Sequence, residues 1–229
     1  MTGSRGKVAL VTGGSRRIGA VISRALAKAG YVVVLTYRSS SVAGRELAAE
    51  IGGSAVPLDL CRPSTFGRFA DRLDRKFGRL DLLVHNAAVF SRTPVNEATS
   101  AAWDAVFAVN LRGPFLLTRA LLPLLRKGRG DAGILFLGDA FAGELWSGYL
   151  PYCLSKLAVP PLAAGLRKAF SPDVRVVVVQ PGLVLPPDRF PAKQWERLRA
   201  EMAGRRGIRT PEGVARAVLR FAGPGTYNP

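Results

Sequence analysis

The chain has 229 residues, 48% of them hydrophobic, which suits one α/β domain with a large core and leaves little room for a second. Its formal net charge is +17, but the arginines are scattered from Arg5 to Arg220 without interleaved aromatics, so solvated surface is expected rather than nucleic-acid binding. No apolar run reaches the ~18–20 residues of a membrane span and no signal-peptide pattern precedes the first strand. Cys61 and Cys153 have neither metal nor disulfide spacing, so a cytoplasmic protein with structural thiols and no metal is expected.

Strand-length apolar runs alternate with helix-length amphipathic stretches, the pattern of a parallel sheet covered on both faces. Lys7–Thr12 predicts strand 1 and Arg17–Ala29 a helix stopped by Gly30. Tyr31–Tyr37, almost pure Val and Leu, reads as a fully buried strand 2. A helix over Val42–Ile51 follows, then strand 3 over Ser54–Leu58. Pro63–Phe77 opens with proline and stops at Gly78, as a helix should. Leu80–His85 predicts strand 4, and Asp104–Lys127 one long helix or two joined near Asn110–Pro114. Strand 5 is placed at Gly133–Gly138, a helix at Leu150–Phe170 and strand 6 at Val174–Gln180. Pro191–Ala203 and Pro211–Ala222 complete the helices. The result is a single domain over residues 1–229.

Thr12-Gly13-Gly14-Ser15-Arg16-Arg17-Ile18-Gly19 lies between strand 1 and the first helix. A dinucleotide's phosphates need close backbone approach and a helix N-terminus facing them. Gly13 supplies the tight turn, and Gly19 lets the helix pack on the sheet. An acidic residue at the end of strand 2 would bind the ribose hydroxyls of NAD. No Asp or Glu occurs from Tyr31 to Arg45; Tyr37, Arg38 and Ser39 close the strand instead, and Arg16 lies in the turn. Two guanidinium groups suit a 2′-phosphate, so NADPH is the expected cofactor.

Tyr152 and Lys156 are i and i+4 on one helix face. A free tyrosine, with pKa about 10, is poorly matched to proton transfer near neutrality. A neighbouring ammonium favours the phenolate, so Lys156 is expected to lower the pKa of Tyr152, the candidate proton donor.

Taken in order, these pieces resemble the short-chain dehydrogenase/reductase family over nearly the whole chain. The order is the glycine turn, Asp59-Leu60 after strand 3, His85-Asn86-Ala87-Ala88 after strand 4, then Asn110, Tyr152-Cys153-Leu154-Ser155-Lys156 and Pro181-Gly182 after strand 6. The resemblance implies a Rossmann-type doubly wound sheet of strand order 3-2-1-4-5-6. It implies cofactor contacts at the glycine turn (Gly13, Ser15, Arg16, Arg17, Ile18 and Gly19), at Asp59 and Leu60, at Asn86, Ala87 and Ala88, and at Pro181 and Gly182. It also gives Lys156 the nicotinamide ribose and Asn110 a place in the proton path. His85, the sole histidine, is read as structural.

Three departures point to one branch. Arg17 stands where the family usually has glycine, Asp139 where it has serine thirteen residues before the tyrosine, and Val89-Phe90 follows the altered Asn-Ala segment. All three resemble the pteridine reductase and dihydromonapterin reductase branch. That resemblance implies reduction of a dihydropterin or dihydrofolate-like ring, with Phe90 stacking the substrate and Arg17 near both phosphates and pterin. Asp139 would bind the pterin edge or relay a proton to Tyr152, and Tyr149 and Leu183 would line the pocket. A reductase of another ketone or imine is the alternative, and a non-catalytic dinucleotide-binding protein the alternative of another class. Pro160-Pro161 should kink the catalytic helix just past Lys156. The family's seventh strand has no counterpart after Ala222, which would leave strand 6 at an edge. A homo-oligomer is expected.

Overall fold

Val-, Leu- and Ile-rich segments form one six-stranded parallel sheet in the order β3-β2-β1-β4-β5-β6, the doubly wound arrangement expected. The computed structural model describes residues 6–128, 132–187, 190–202, 204, 207 and 210–223. The strands are β1 (Val8–Val11), β2 (Val32–Tyr37), β3 (Ser54–Pro57), β4 (Leu82–His85), β5 (Gly133–Leu137) and β6 (Arg175–Val179). On one side β1 pairs with β2, Val8 opposite Val32; on the other it pairs with β4, Ala9 opposite Leu82. The chain order therefore reverses beside β1, and a crevice opens there at the carboxyl ends of the strands.

Side chains alternate across the sheet because the strand period is two. Leu10, Leu83, Ile134 and Phe136 point into the core shared with α3 (Phe66–Phe77), α5 (Gly113–Arg126) and α7 (Val159–Phe170). Val11, Leu82, Val84 and Leu135 point the other way, towards α1 (Arg17–Lys28) and α9 (Pro211–Ala222). The remaining connection between β2 and β3 is α2 (Ser41–Glu50).

Several boundaries differ from the sequence reading. The helix expected from Asp104 begins earlier, as α4 (Ser100–Phe107), because the Thr99 hydroxyl caps it by accepting from Ala102 N at 3.1 Å. The expected join near Asn110 is a π turn, Ala108–Arg112, which leads into α5. Together Ser100–Arg126 is long and apolar enough by composition to cross a membrane, yet half of its most apolar window is buried in the fold, as in a core helix. The stretch expected as one helix over 150–170 is two, α6 (Leu150–Leu157) and α7, meeting at Ala158. Pro160 and Pro161 have no N–H, so the carbonyls of Lys156 and Leu157 lack the i+4 donor of an α-helix, and the Lys156 carbonyl accepts instead from a backbone N–H at the end of α6. Short 3₁₀ turns not foreseen in the sequence occur at Pro63–Thr65, Val95–Glu97, Ala142–Glu144 and Ser147–Tyr149. The penultimate helix is α8 (Ala192–Glu201), and Ala203 lies outside the described residues. Among the described residues β6 is an edge strand, and the segment where a seventh strand would follow, 224–229, lies outside them. Cys61 and Cys153 are free thiols.

Candidate active site

The glycine turn packs tightly over the end of β1, and Gly13, Gly14 and Gly19 each leave too little space for a side chain. Gly13 takes φ +61, and a Cβ there would sit 3.1 Å from the Ala87 backbone. At Gly19 a Cβ would lie 2.3 Å from the Gly13 carbonyl oxygen and 2.6 Å from Asn86 Nδ2. Asn86 Nδ2 donates to the carbonyls of Thr12 (2.8 Å) and Gly13 (3.1 Å), and Thr12 Oγ1 accepts from the amides of Asn86 and Ala87, both at 3.1 Å. The turn is thereby locked to the segment after β4. Gly19→Ala should break this lock and cut turnover about 10²-fold, the scale of a 1 Å misplacement of bound groups. Dinucleotide titration and steady-state kinetics on a variant with unchanged melting would check it.

A groove of about 340 Å³ runs from this turn. Ser15, Arg16, Arg17 and Ile18 line it from the turn, and Tyr37, Arg38 and Ser39 from the end of β2. Asp59 and Leu60 after β3, with Ala87 and Ala88 after β4, form its other walls. Arg16 and Arg38 are both exposed along it. Asp59 is the one acidic side chain lining the groove among the described residues, and its Oδ1 accepts from Cys61 N at 2.9 Å. A side-chain-free cradle at the N-terminus of α1 fits paired phosphates.

A second cavity, about 770 Å³, adjoins the first, since Arg16, Arg17, Ile18, Asn86 and Ala88 line both. Tyr152 and Lys156 reach it from α6, Asp139 from the end of β5, and Pro181, Gly182 and Leu183 from the end of β6. Tyr152 Oη donates to Asp139 Oδ2 at 2.6 Å, while Phe141 N donates to Oδ1 at 2.7 Å. The carboxylate is held by the backbone on one oxygen and by the phenol on the other.

This geometry corrects one expectation. Burial, followed by the Asp139 charge and hydrogen bond, pushes the Tyr152 phenol well above its ordinary pKa of 10. Lys156 does not lower it: its Nζ donates to the Leu137 carbonyl at 2.7 Å, and burial brings the ammonium down to about 8. A desolvated phenol beside a carboxylate keeps its proton.

Asn110 sits in the π turn and is buried. Its side chain accepts from Val89 N (2.8 Å) and donates to Val89 O (3.0 Å) and Ser155 Oγ (2.9 Å). Asn110 thus ties the loop carrying Phe90 to the helix carrying Tyr152, and none of its side-chain hydrogen bonds goes to Lys156. His85 is fully interior, stacked on Phe136 and bonded through Nε2 to Thr118 Oγ1 at 2.8 Å. Burial pushes it down to about 3, which keeps it neutral and away from acid–base work.

On the substrate side Phe90 stacks on Tyr149 (4.4 Å between centroids, 14° between planes) and meets Tyr152 edge-on at 4.5 Å. One face of Phe90, expected to serve a substrate, is therefore spent on Tyr149. Trp146, absent from the sequence reading, adds an edge contact to both Phe90 and Tyr149. Trp195 and Leu198 bring α8 against the same cavity, although nothing in the sequence linked that helix to the site. Arg17 holds φ +53, and its guanidinium donates to the Pro186 carbonyl beyond β6.

The chain is similar to known proteins over most of its length. Galactitol 2-dehydrogenase of Agrobacterium fabrum is 31% identical over 227 residues, covering 95% of this chain and 86% of that protein. D-threitol dehydrogenase of Mycolicibacterium smegmatis is 31% identical over 86% of this chain and 76% of its own length. Sorbitol dehydrogenase of Cereibacter sphaeroides is 32% identical with the same two coverages. The family model described as short chain dehydrogenase matches residues 7–197, which hold the glycine turn, the groove and the Tyr152–Lys156 pair. On that match and that geometry the chain belongs to the short-chain dehydrogenase family, and it is an oxidoreductase that works with a nicotinamide dinucleotide.

Proposed function

We propose that the protein is an NADPH-dependent reductase of a flat, nitrogen-rich ring, a dihydropterin or dihydrofolate. The observation that carries this reading is Asp139. An acceptor carboxylate, fixed by Phe141 N, touches the Tyr152 hydroxyl where the sequence departs from the family's serine. The amino-pyrimidinone edge of a pterin offers N–H donors to such a group. Phe90, Tyr149 and Trp146 supply an aromatic wall beside it, and ring contacts of this kind are worth about 0.5–1.5 kcal/mol beyond area.

When bound, the reduced nicotinamide supplies a hydride. Tyr152 supplies the proton to the substrate nitrogen or oxygen, leaving a phenolate that Lys156, one helical turn away on the same face, helps to neutralise when charged. Asp139 holds the phenol neutral until transfer and offers the route by which it regains a proton. Asn110 fixes the α6 backbone through Ser155.

NADPH is favoured over NADH by Arg16 and Arg38 along a groove whose β2 end carries no acid. NADPH should therefore bind more tightly than NADH, and Arg38→Asp should lower or reverse the preference, by about tenfold for one charge-assisted contact. Fluorescence titration with both cofactors measures it, and equal affinities in the unmodified protein would contradict the assignment. NADPH oxidation with dihydrobiopterin, dihydromonapterin, dihydrofolate and a panel of ketones tests the substrate.

The similarity to galactitol, threitol and sorbitol dehydrogenases favours a second reading, oxidation of a sugar alcohol. Galactitol and sorbitol with NADP⁺ belong in the same assay, and turnover on them alone would replace the pterin reading. Self-association is supported by large apolar side chains left exposed on neighbouring helices, Trp103 on α4, Phe115 on α5 and Leu157 at the end of α6.

A further inference from the structure

Among the described residues Asp139 is the one acid lining the 770 Å³ cavity, against the cations Arg16, Arg17 and Lys156. Its side chain is half-buried, and its two oxygens accept from neutral donors, the Tyr152 phenol and the Phe141 amide. The three cations are directed elsewhere. Lys156 Nζ donates to the Leu137 carbonyl and the Arg17 guanidinium to the Pro186 carbonyl, while Arg16 is exposed where the two cavities join. Asp139 therefore faces the cavity without an ion pair among the described residues. Beside it lies aromatic surface from Trp146 and from Phe90, which is stacked on Tyr149 yet 37% exposed.

We infer that the substrate bond reduced in this cavity is a C=N bond whose nitrogen becomes a cation beside Asp139, and not a C=O bond. The inference rests on the reductase reading above and does not need the pterin ring. A carboxylate in a partly desolvated cavity stabilises a neighbouring cation and opposes a second anion. A carbonyl oxygen is scarcely basic, so it draws the Tyr152 proton only as it becomes an alkoxide, and the phenolate then forms against the Asp139 carboxylate with no cation to offset it. An imine nitrogen carries a basic lone pair. It takes the Tyr152 proton first, the O–H bond breaking as the N–H bond forms, and the resulting iminium offsets both anions while the hydride moves. The hydride then forms the C–H bond, and the π pair returns to nitrogen as the lone pair of a neutral amine. The imine is reduced and NADPH is oxidised to NADP⁺. Burial and Asp139 also raise the phenol, which makes it a weak acid suited to a basic acceptor. The aromatic wall attracts the same cation through the negative faces of its rings.

Two fused bicycles of similar size separate the cases, dihydroisoquinoline with a C=N bond and tetralone with a C=O bond. Asp139→Asn keeps the size of the side chain and an acceptor for Phe141 N while removing the charge. With NADPH it should cut kcat/KM for the imine roughly 10- to 150-fold and leave that for the ketone unchanged or higher. Binding reads the same charge without turnover, because Trp146 and Trp195 line the cavity and their fluorescence reports its occupancy. Protonated tetrahydroisoquinoline should bind the unmodified protein with NADP⁺ about tenfold more tightly than neutral tetralol, and Asp139→Asn should abolish the difference. Equal losses for imine and ketone in Asp139→Asn would overturn the inference. So would equal binding of the cationic and neutral ligands to the unmodified protein. Failure of the pterin reading looks different: dihydropterins are not turned over, while the imine keeps its dependence on Asp139.

Discussion

Tyr152→Phe should lower turnover by about 10²–10⁴-fold, the contribution of a positioned general acid, and leave dinucleotide affinity within about threefold because the ring still packs. Tyr152 is 8% exposed and its hydroxyl bonds to Asp139, so removing its oxygen disturbs little beyond that carboxylate. The pH profile separates its role from that of Lys156. Burial and the Asp139 charge raise the phenol, so the donor form persists through and beyond the ordinary tyrosine range. The Lys156 ammonium is lowered to about 8 and loses its charge as pH rises through that value. Reduction should therefore decline above about pH 8 from the lysine, while the phenol remains protonated. A rate that stays flat to about pH 10, the ordinary tyrosine value, would assign the lysine no electrostatic part.

Asp139→Ser restores the residue found in most of the family and removes the carboxylate. For a pterin reductase, pterin turnover should fall roughly 10- to 150-fold, as for loss of one contact to a charged group worth about 1.5–3 kcal/mol. NADPH binding should stay unchanged because Asp139 lies in the larger cavity, outside the 340 Å³ groove. The phenol should titrate lower in this variant, since a charge that raises it is gone. A generic carbonyl reductase leads to the opposite result, with serine neutral or beneficial. A variant as fast as the unmodified protein on its best substrate would end the pterin reading and leave the family assignment in place.

Much of the site was legible because its parts are local. Tyr152 and Lys156 are one helical turn apart, the glycine turn is continuous in sequence, and Arg38 follows its strand directly. The helix break beyond Lys156 was equally local, since two adjacent prolines remove two helical donors. The early start of α4 was missed although its signal, a threonine cap at Thr99, was present in the sequence. Trp146 and Trp195 gave no such signal. Each reads as an ordinary apolar position of its own segment, and only packing brings both to one cavity.

The sequence by itself determined the doubly wound sheet, the glycine turn after its first strand and the Tyr152–Lys156 spacing on one helix face. Strand and helix periods, glycine positions and i, i+4 spacing are properties of short segments and survive without tertiary contacts. The tertiary structure decided what surrounds those groups. It turned Lys156 to the Leu137 carbonyl and Tyr152 to Asp139, committed one face of Phe90 to Tyr149, and sent Arg17 across to Pro186. A pKa depends on burial and on charges brought together from distant parts of the chain. For that reason the direction of the Tyr152 shift, expected downward from its helical neighbour, came out upward once burial and Asp139 were in place.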